Sequence, residues 1–173
     1  MKKCGFLILI VLTISVLHLE AQVFPESVGY VNDFAGILSW DERQQLTELI
    51  DLLEKVTSAE IAVVTIDSFE PYRSVEVYCF DLANTWGVGK EGLNNGVLML
   101  IAMKERKTRI ELGLGMERLI SDSEAGSIMD KYMIPYFREG EYGEGFIEAT
   151  KIIAGIILED DLEKGGNISP TEQ

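Results

Sequence analysis

Five oxygen-bearing side chains, Asp33, Asn94, Asn95, Glu117 and Asp122, are the residues on which chemistry in this chain could rest. Carboxylates, side-chain amides and backbone carbonyls are the ligand types that hard cations take. Beyond the N-terminal segment there is no histidine, and Cys79 is the single thiol. Zinc or copper sites built on His or paired Cys therefore have no ligands, and neither does a His-based triad or an intramolecular disulfide. Ca²⁺ is the favoured cation, with Mg²⁺ the alternative. Each residue also has a plainer role: Asn94-Asn95-Gly96 as a turn, Asp33 as a turn-forming Asx residue, Glu117 as a surface charge, Asp122 as a helix-dipole complement.

The case for a shared site is topological. Gly96 to Met103 is an apolar run, Lys104 to Lys107 is charged, and Thr108 to Leu112 is a second apolar run, which together read as a β-hairpin. Its turn marks one end of a sheet. Asn94 and Asn95, just before it, and Gly113-Leu114-Gly115-Met116-Glu117, just after it, must meet at the other end. Gly113 and Gly115 permit close backbone approach there. Asp122 follows nearby, and Asp33 joins the set if its loop folds over the same rim. Asp67 falls at the turn end.

The elements around the hairpin follow from period and punctuation. Ser39-Trp40-Asp41-Glu42 matches a capping box, and Leu46, Leu49, Ile50, Leu53 and Val56 behind it form a helical stripe. Ile61 to Ile66 is a buried strand, parallel to the Gly96 strand through a right-handed crossover. Ser74 opens a second helix that Gly87 ends. Ser121-Asp122-Ser123-Glu124 caps a third, which Pro135 ends or kinks. Arg138 to Gly145 is a turn, Phe146 to Ile157 a fourth helix, and residues 159–173 a flexible polar tail. The expected architecture is α/β, a three-layer α/β/α sandwich with a small mixed β-sheet. Cys79, mid-helix on an apolar face, reads as a buried inert thiol.

Composition narrows function. A formal net charge of −14 over 173 residues disfavours nucleic acid and anionic membrane surfaces as partners. Met1-Lys2-Lys3, an apolar run from Gly5 to Leu17 and a small residue at Ala21 read as a signal peptide over residues 1–21. That run is short of the roughly 20 residues a membrane span needs. The expected location is periplasmic or secreted, and no C-terminal membrane span is expected.

These motifs together resemble the TPM domain family. The resemblance is carried by Val31-Asn32-Asp33-Phe34-Ala35-Gly36-Ile37-Leu38-Ser39, Trp86-Gly87-Val88-Gly89, Asn94-Asn95-Gly96-Val97-Leu98, Arg109 to Glu117 and Asp122. It covers residues 28–158. The resemblance implies an extracytoplasmic α/β/α sandwich, with divalent-cation binding or membrane-protein assembly and repair in some members and acid phosphatase activity in others. It also carries Asp33, Glu117 and Asp122 over as acidic site residues, with Asn94 and Asn95 beside them; many members have Asp where this chain has Asn94. Three readings follow. The first is an accessory module binding Ca²⁺ and a membrane protein or envelope complex. The second is a metal-assisted acid phosphatase with Asp33 or Asp122 as base or nucleophile. The third is a ligand-free protein-interaction domain.

Overall fold

A computed structural model describes residues 24–165. The signal segment expected over residues 1–21, with Cys4 and His18, lies outside them, as do residues 166–173. The element order is β1 (Val31–Asp33), α1 (Trp40–Thr57), β2 (Glu60–Ile66), α2 (Val75–Trp86), β3 (Gly96–Ala102), β4 (Lys107–Leu112), α3 (Asp122–Ile128), a π-helical turn (Met129–Met133), α4 (Ile134–Glu139) and α5 (Tyr142–Gly165).

The sheet runs β1-β2-β3-β4, with the first three strands parallel and β4 antiparallel. β3 is buried at every position, which is why it reads as one unbroken apolar run. Its alternate residues serve two cores. Val97, Met99 and Ile101 pack with Ile61 and Val63 towards α1 and α5. Leu98, Leu100 and Ala102 pack with Val64 and Ile66 towards α2. The helices thus form two layers about a mixed sheet, the α/β/α arrangement expected.

Both capping boxes form. Ser39 Oγ accepts from the Glu42 N–H at 3.3 Å, and Glu42 Oε2 accepts from the Ser39 N–H at 2.7 Å. Ser121 and Glu124 repeat the pattern at 3.3 and 2.8 Å. These reciprocal bonds satisfy orphan donors at the starts of α1 and α3. Leu46, Ile50 and Leu53 of the α1 stripe are buried, but Val56 is exposed.

Two expectations are corrected, the start of the fourth helix and the residues after it, and one is narrowed. No sequence signal marks the first strand, Val31–Asp33, which is too short to show a period and pairs only with β2. Of the two outcomes expected at Pro135, an end or a kink, the helical stretch does not end but is irregular there. Pro135 has no N–H to donate and its ring crowds the carbonyl four residues back. The Ile134 N–H bonds instead to the Met129 carbonyl five residues back, so the turn widens to π and α4 continues to Gly140, whose φ is +82°. The fourth helix starts at Tyr142 and runs to Gly165. Residues 159–165, expected as flexible tail, are therefore helical. Their polarity reflects an exposed face held by charge: Asp160 takes two bonds of 2.9 Å from Arg118 and one ion pair of 2.5 Å from Lys164.

Two glycines separate packing from propensity. A Cβ at Gly115 would lie 2.0 Å from the Leu93 carbonyl oxygen, whereas one at Gly155 in α5 meets nothing within 4 Å. Denaturant unfolding should show Gly115→Ala destabilising by about 3 kcal/mol, near the upper end of overpacking costs. Gly155→Ala should stabilise by about 0.5–1 kcal/mol, because Gly is a poor helix former.

Candidate functional site

The hairpin brings its two ends together as the sequence requires. The Gly113 N–H donates to the Gly96 carbonyl at 2.8 Å, and the Gly115 N–H donates to the Asn94 carbonyl at 2.9 Å. The loops meet backbone to backbone, since a Cβ at Gly113 would lie 2.3 Å from the Asn94 oxygen. Asn94 takes φ +49°, a left-handed conformation that Asn tolerates better than most residues. Met116 and Ile120 are buried beneath the turn, and Glu117 is left exposed. Asn94 and Glu117 line one cavity of about 430 Å³, together with Phe80, Leu114 and Glu111. Glu111 is paired with Arg109 at 3.0 Å and Arg118 with Asp160 at 2.9 Å. Among the described residues no ion pair engages Glu117.

The other three members of the expected set go elsewhere. Asn95 lines a separate cavity of about 310 Å³ with Arg118 and Asp160. Its Oδ1 accepts from the Lys90 N–H at 2.9 Å, and its Nδ2 donates to Ser58 Oγ at 3.2 Å, so it ties loops together. Asp122 is exposed at the first position of α3, outside both cavities, where its charge complements the helix N-terminus.

Asp33 lies at the opposite rim. It pairs with Thr65 near the end of β2, whereas Gly96 pairs with Glu60 at its start. A parallel β1 delivers its last residue to the carboxyl end of the sheet, so the Asp33 loop does not fold over Asn94 and Glu117. Its side chain is 3% exposed. Oδ1 accepts from the Ile37 N–H at 3.0 Å and the Thr65 hydroxyl at 2.6 Å, and Oδ2 from the Leu38 N–H at 3.1 Å. The Arg43 guanidinium stands 3.8 Å away. Asp33 shapes the loop that leads into α1. Among the described residues no three His, Cys, Asp or Glu side chains group as a metal centre.

A polar network at the Asn94 rim was not expected from the sequence. The Tyr30 hydroxyl donates to Glu54 at 2.5 Å, Lys90 reaches Glu54 at 2.5 Å and also Glu60, and Glu60 accepts from the Gly89 N–H at 2.7 Å. The hydrogen bond from Lys90, then that from Tyr30, holds the Glu54 carboxyl below the usual carboxylate range. The bond to Glu54 pushes the Tyr30 phenol up to about 12. These residues come from the lead-in, α1, β2 and the α2–β3 loop, so no local spacing announces them. Glu111 had a readable signal, since Lys107, Arg109 and Glu111 alternate with buried Ile110 along β4. Cys79 is buried as expected, and burial pushes its thiol well above the ordinary thiol range.

Comparison with known proteins follows the same lines. The model of the TPM domain family matches residues 31–156. The N-terminal domain of a protein from P. gingivalis, solved by solution NMR, is 34% identical over 78% of this chain and 84% of its own, with a TM-score of 0.69. The BA42 protein from Bizionia argentinensis shares the fold at 20% identity, over 70% of this chain and 82% of its own, with a TM-score of 0.61. The N-terminal domain of the cg2496 protein from Corynebacterium glutamicum does so at 17% identity, over 78% of this chain and 84% of its own, with a TM-score of 0.59. No curated protein matches the chain.

Two substitutions test the structural roles. Asp33→Asn replaces an accepting oxygen by a donor that faces N–H or O–H groups, and should cost about 2–3 kcal/mol in a denaturant melt. Glu54→Gln should cost about 1 kcal/mol at pH 7, a figure reduced for the half-exposed Lys90. The folded Glu54 carboxyl titrates below its unfolded value. Its contribution is therefore complete above the ordinary Glu pKa of about 4.3 and is lost as pH falls through the folded value. Melts from pH 7 down to about pH 3 should show the gap between wild type and Glu54→Gln closing on the acid side.

Proposed function

The chain belongs to the TPM domain family, and from that membership we propose that it is an extracytoplasmic accessory module that binds a divalent cation, Ca²⁺ before Mg²⁺, in the cavity shared by Glu117 and Asn94. One observation carries this reading: an exposed carboxylate free of any ion pair among the described residues lines the same cavity as a side-chain amide, beside a backbone contact that admits no Cβ.

The donor set fits a weak hard-cation site. Glu117 and Asn94 offer oxygen ligands, Glu111 stands in the same cavity already shared with Arg109, and water completes the shell. So short a set belongs with extracellular modules that hold calcium with Kd of about 10⁻⁴–10⁻³ M. Asn95 and Asp33 leave the set because their oxygens serve the fold. The engagement of Asp33 with two N–H groups and a hydroxyl also supports binding over hydrolysis. Phe80 and Leu114, both more than half exposed at the edge of the cavity, suit contact with a membrane protein or envelope complex. The basic start, apolar run and Ala21 support export.

Thermal unfolding in chelator, in Ca²⁺ and in Mg²⁺ tests the reading. At a calcium concentration 100 times Kd the folded state should gain about 2.7 kcal/mol. Glu117→Gln should remove most of that gain, while Asp33→Asn, though less stable, should keep it. No shift at about 10 mM calcium, or an undiminished shift in Glu117→Gln, overturns the proposal.

A further inference from the structure

The rim opposite the Asn94 loop carries a third cavity, larger than either of those described above. About 850 Å³ in volume, it lies between the β3–β4 turn and α4, lined by Ile101, Met103 and Thr108 on one wall and Ile134, Phe137 and Tyr142 on the other, with Arg106, Lys107 and Arg138 among them. No carboxylate lines it. Among the described residues neither Arg106 nor Arg138 enters an ion pair, whereas most of the other basic side chains do. Lys107 borders the groove at the start of β4, but it alternates with Thr108 and lies on the α2 face with Arg109, near Glu76. In a chain of net charge −14, two guanidiniums free of ion pairs at the edge of one apolar groove require an explanation.

The surrounding acids are turned away. Glu70, on the loop after β2, is engaged by Lys104 at 2.5 Å, and Glu105, in the β3–β4 turn, accepts from the Ser68 hydroxyl of that loop at 2.5 Å. The Lys104 N–H donates to the Asp67 carbonyl at 2.8 Å, which fixes the turn from that side. Glu139 and Glu141 flank Gly140 and are exposed outside the groove. The floor is closely packed. The Phe137 ring lies tilted against buried Phe146 at 5.1 Å and against Tyr142 at 5.6 Å between centroids, and a Cβ at Gly145 would lie 2.6 Å from it. A mostly apolar cavity with a few convergent polar groups is the usual form of a small-molecule site.

We propose that this groove binds an organic anion with an apolar body, its carboxylate or phosphate head held by Arg106 and Arg138 and its tail laid on Ile101, Met103, Ile134 and Phe137. The guanidinium forks match either head geometry, and the apolar floor selects against small inorganic anions. The inference does not depend on the cation site, which lies at the other rim.

The test is a titration of the isotope-labelled protein, followed by amide chemical shifts, with octanoate, octyl phosphate, octylammonium and inorganic phosphate. Octanoate and octyl phosphate should move the resonances of Met103, residues 106–108, Phe137, Arg138 and Tyr142 saturably and compete with each other, the tighter one identifying the head. Arg106→Asn with Arg138→Gln should weaken both at least tenfold; both sites are exposed, and Asn suits the φ of +52° at position 106, so the fold should persist. Equal binding of octylammonium, equal binding of inorganic phosphate, shifts centred elsewhere, no saturable shift, or binding only to vesicles of anionic lipid would each overturn the proposal.

Discussion

The contact on which the Asn94 rim depends is the meeting of two loop backbones, with the Gly115 N–H on the Asn94 carbonyl and the Gly113 N–H on the Gly96 carbonyl. Neither glycine can carry a side chain without entering the facing loop. The consequence runs outward in steps. The chain leaving β4 is pressed against the chain entering β3, Met116 and Ile120 drop into the core below, and Glu117 between them is left in solvent. A carboxylate at that place is thus a result of packing. Its cavity combines an exposed charge with a closely packed, hydrogen-bonded backbone, an arrangement that lowers the ordering cost of binding a ligand there.

What the sequence disclosed tracks how local each feature is. The hairpin is contained in one short stretch of chain, and its apolar runs, charged turn and terminal glycines all point the same way. The capping boxes are likewise four-residue signals, and both formed. Asp33 shows where this stops. Its neighbours state that a loop follows, but the end of the sheet at which that loop lies depends on three residues pairing in parallel with a strand about thirty positions on. Asn95 shows the same limit at closer range: adjacent to Asn94, it lines the cavity on the α5 side and is used up by Lys90 and Ser58. The end of α5 was hidden for a different reason, since an exposed helix face and an extended tail have the same polar composition.

Charge separates the two rims. The Asn94 rim gathers Glu54, Glu60, Glu111 and Glu117, with Lys90 binding two of them. At the carboxyl rim Lys104 meets Glu70 and Arg43 stands near Asp33, but Arg106 and Arg138 border a groove lined by no carboxylate, beside a floor of aliphatic and aromatic side chains. With the whole chain strongly acidic, its long-range field opposes an approaching anion and is screened beyond a Debye length of about 8 Å at physiological ionic strength. Attraction inside the groove is therefore short-range, and an anion gains by bringing apolar surface, at about 25 cal/mol per Å² buried.

The π-helical turn is what aims α4 at that groove. One additional residue in a helical turn rotates everything after it by about 100° relative to an uninterrupted α-helix. With Pro135 unable to donate and the Ile134 N–H reaching back to Met129, the widening is placed directly before Phe137 and Arg138. In a regular helix those two side chains would be rotated away from the β3–β4 turn. Phe137 would lose Phe146 and Tyr142, and the guanidinium of Arg138 would no longer share a cavity with Arg106. The irregularity that the sequence marks as an end or a kink at Pro135 is thus the geometric condition for the aromatic floor and the cationic edge to occupy one place.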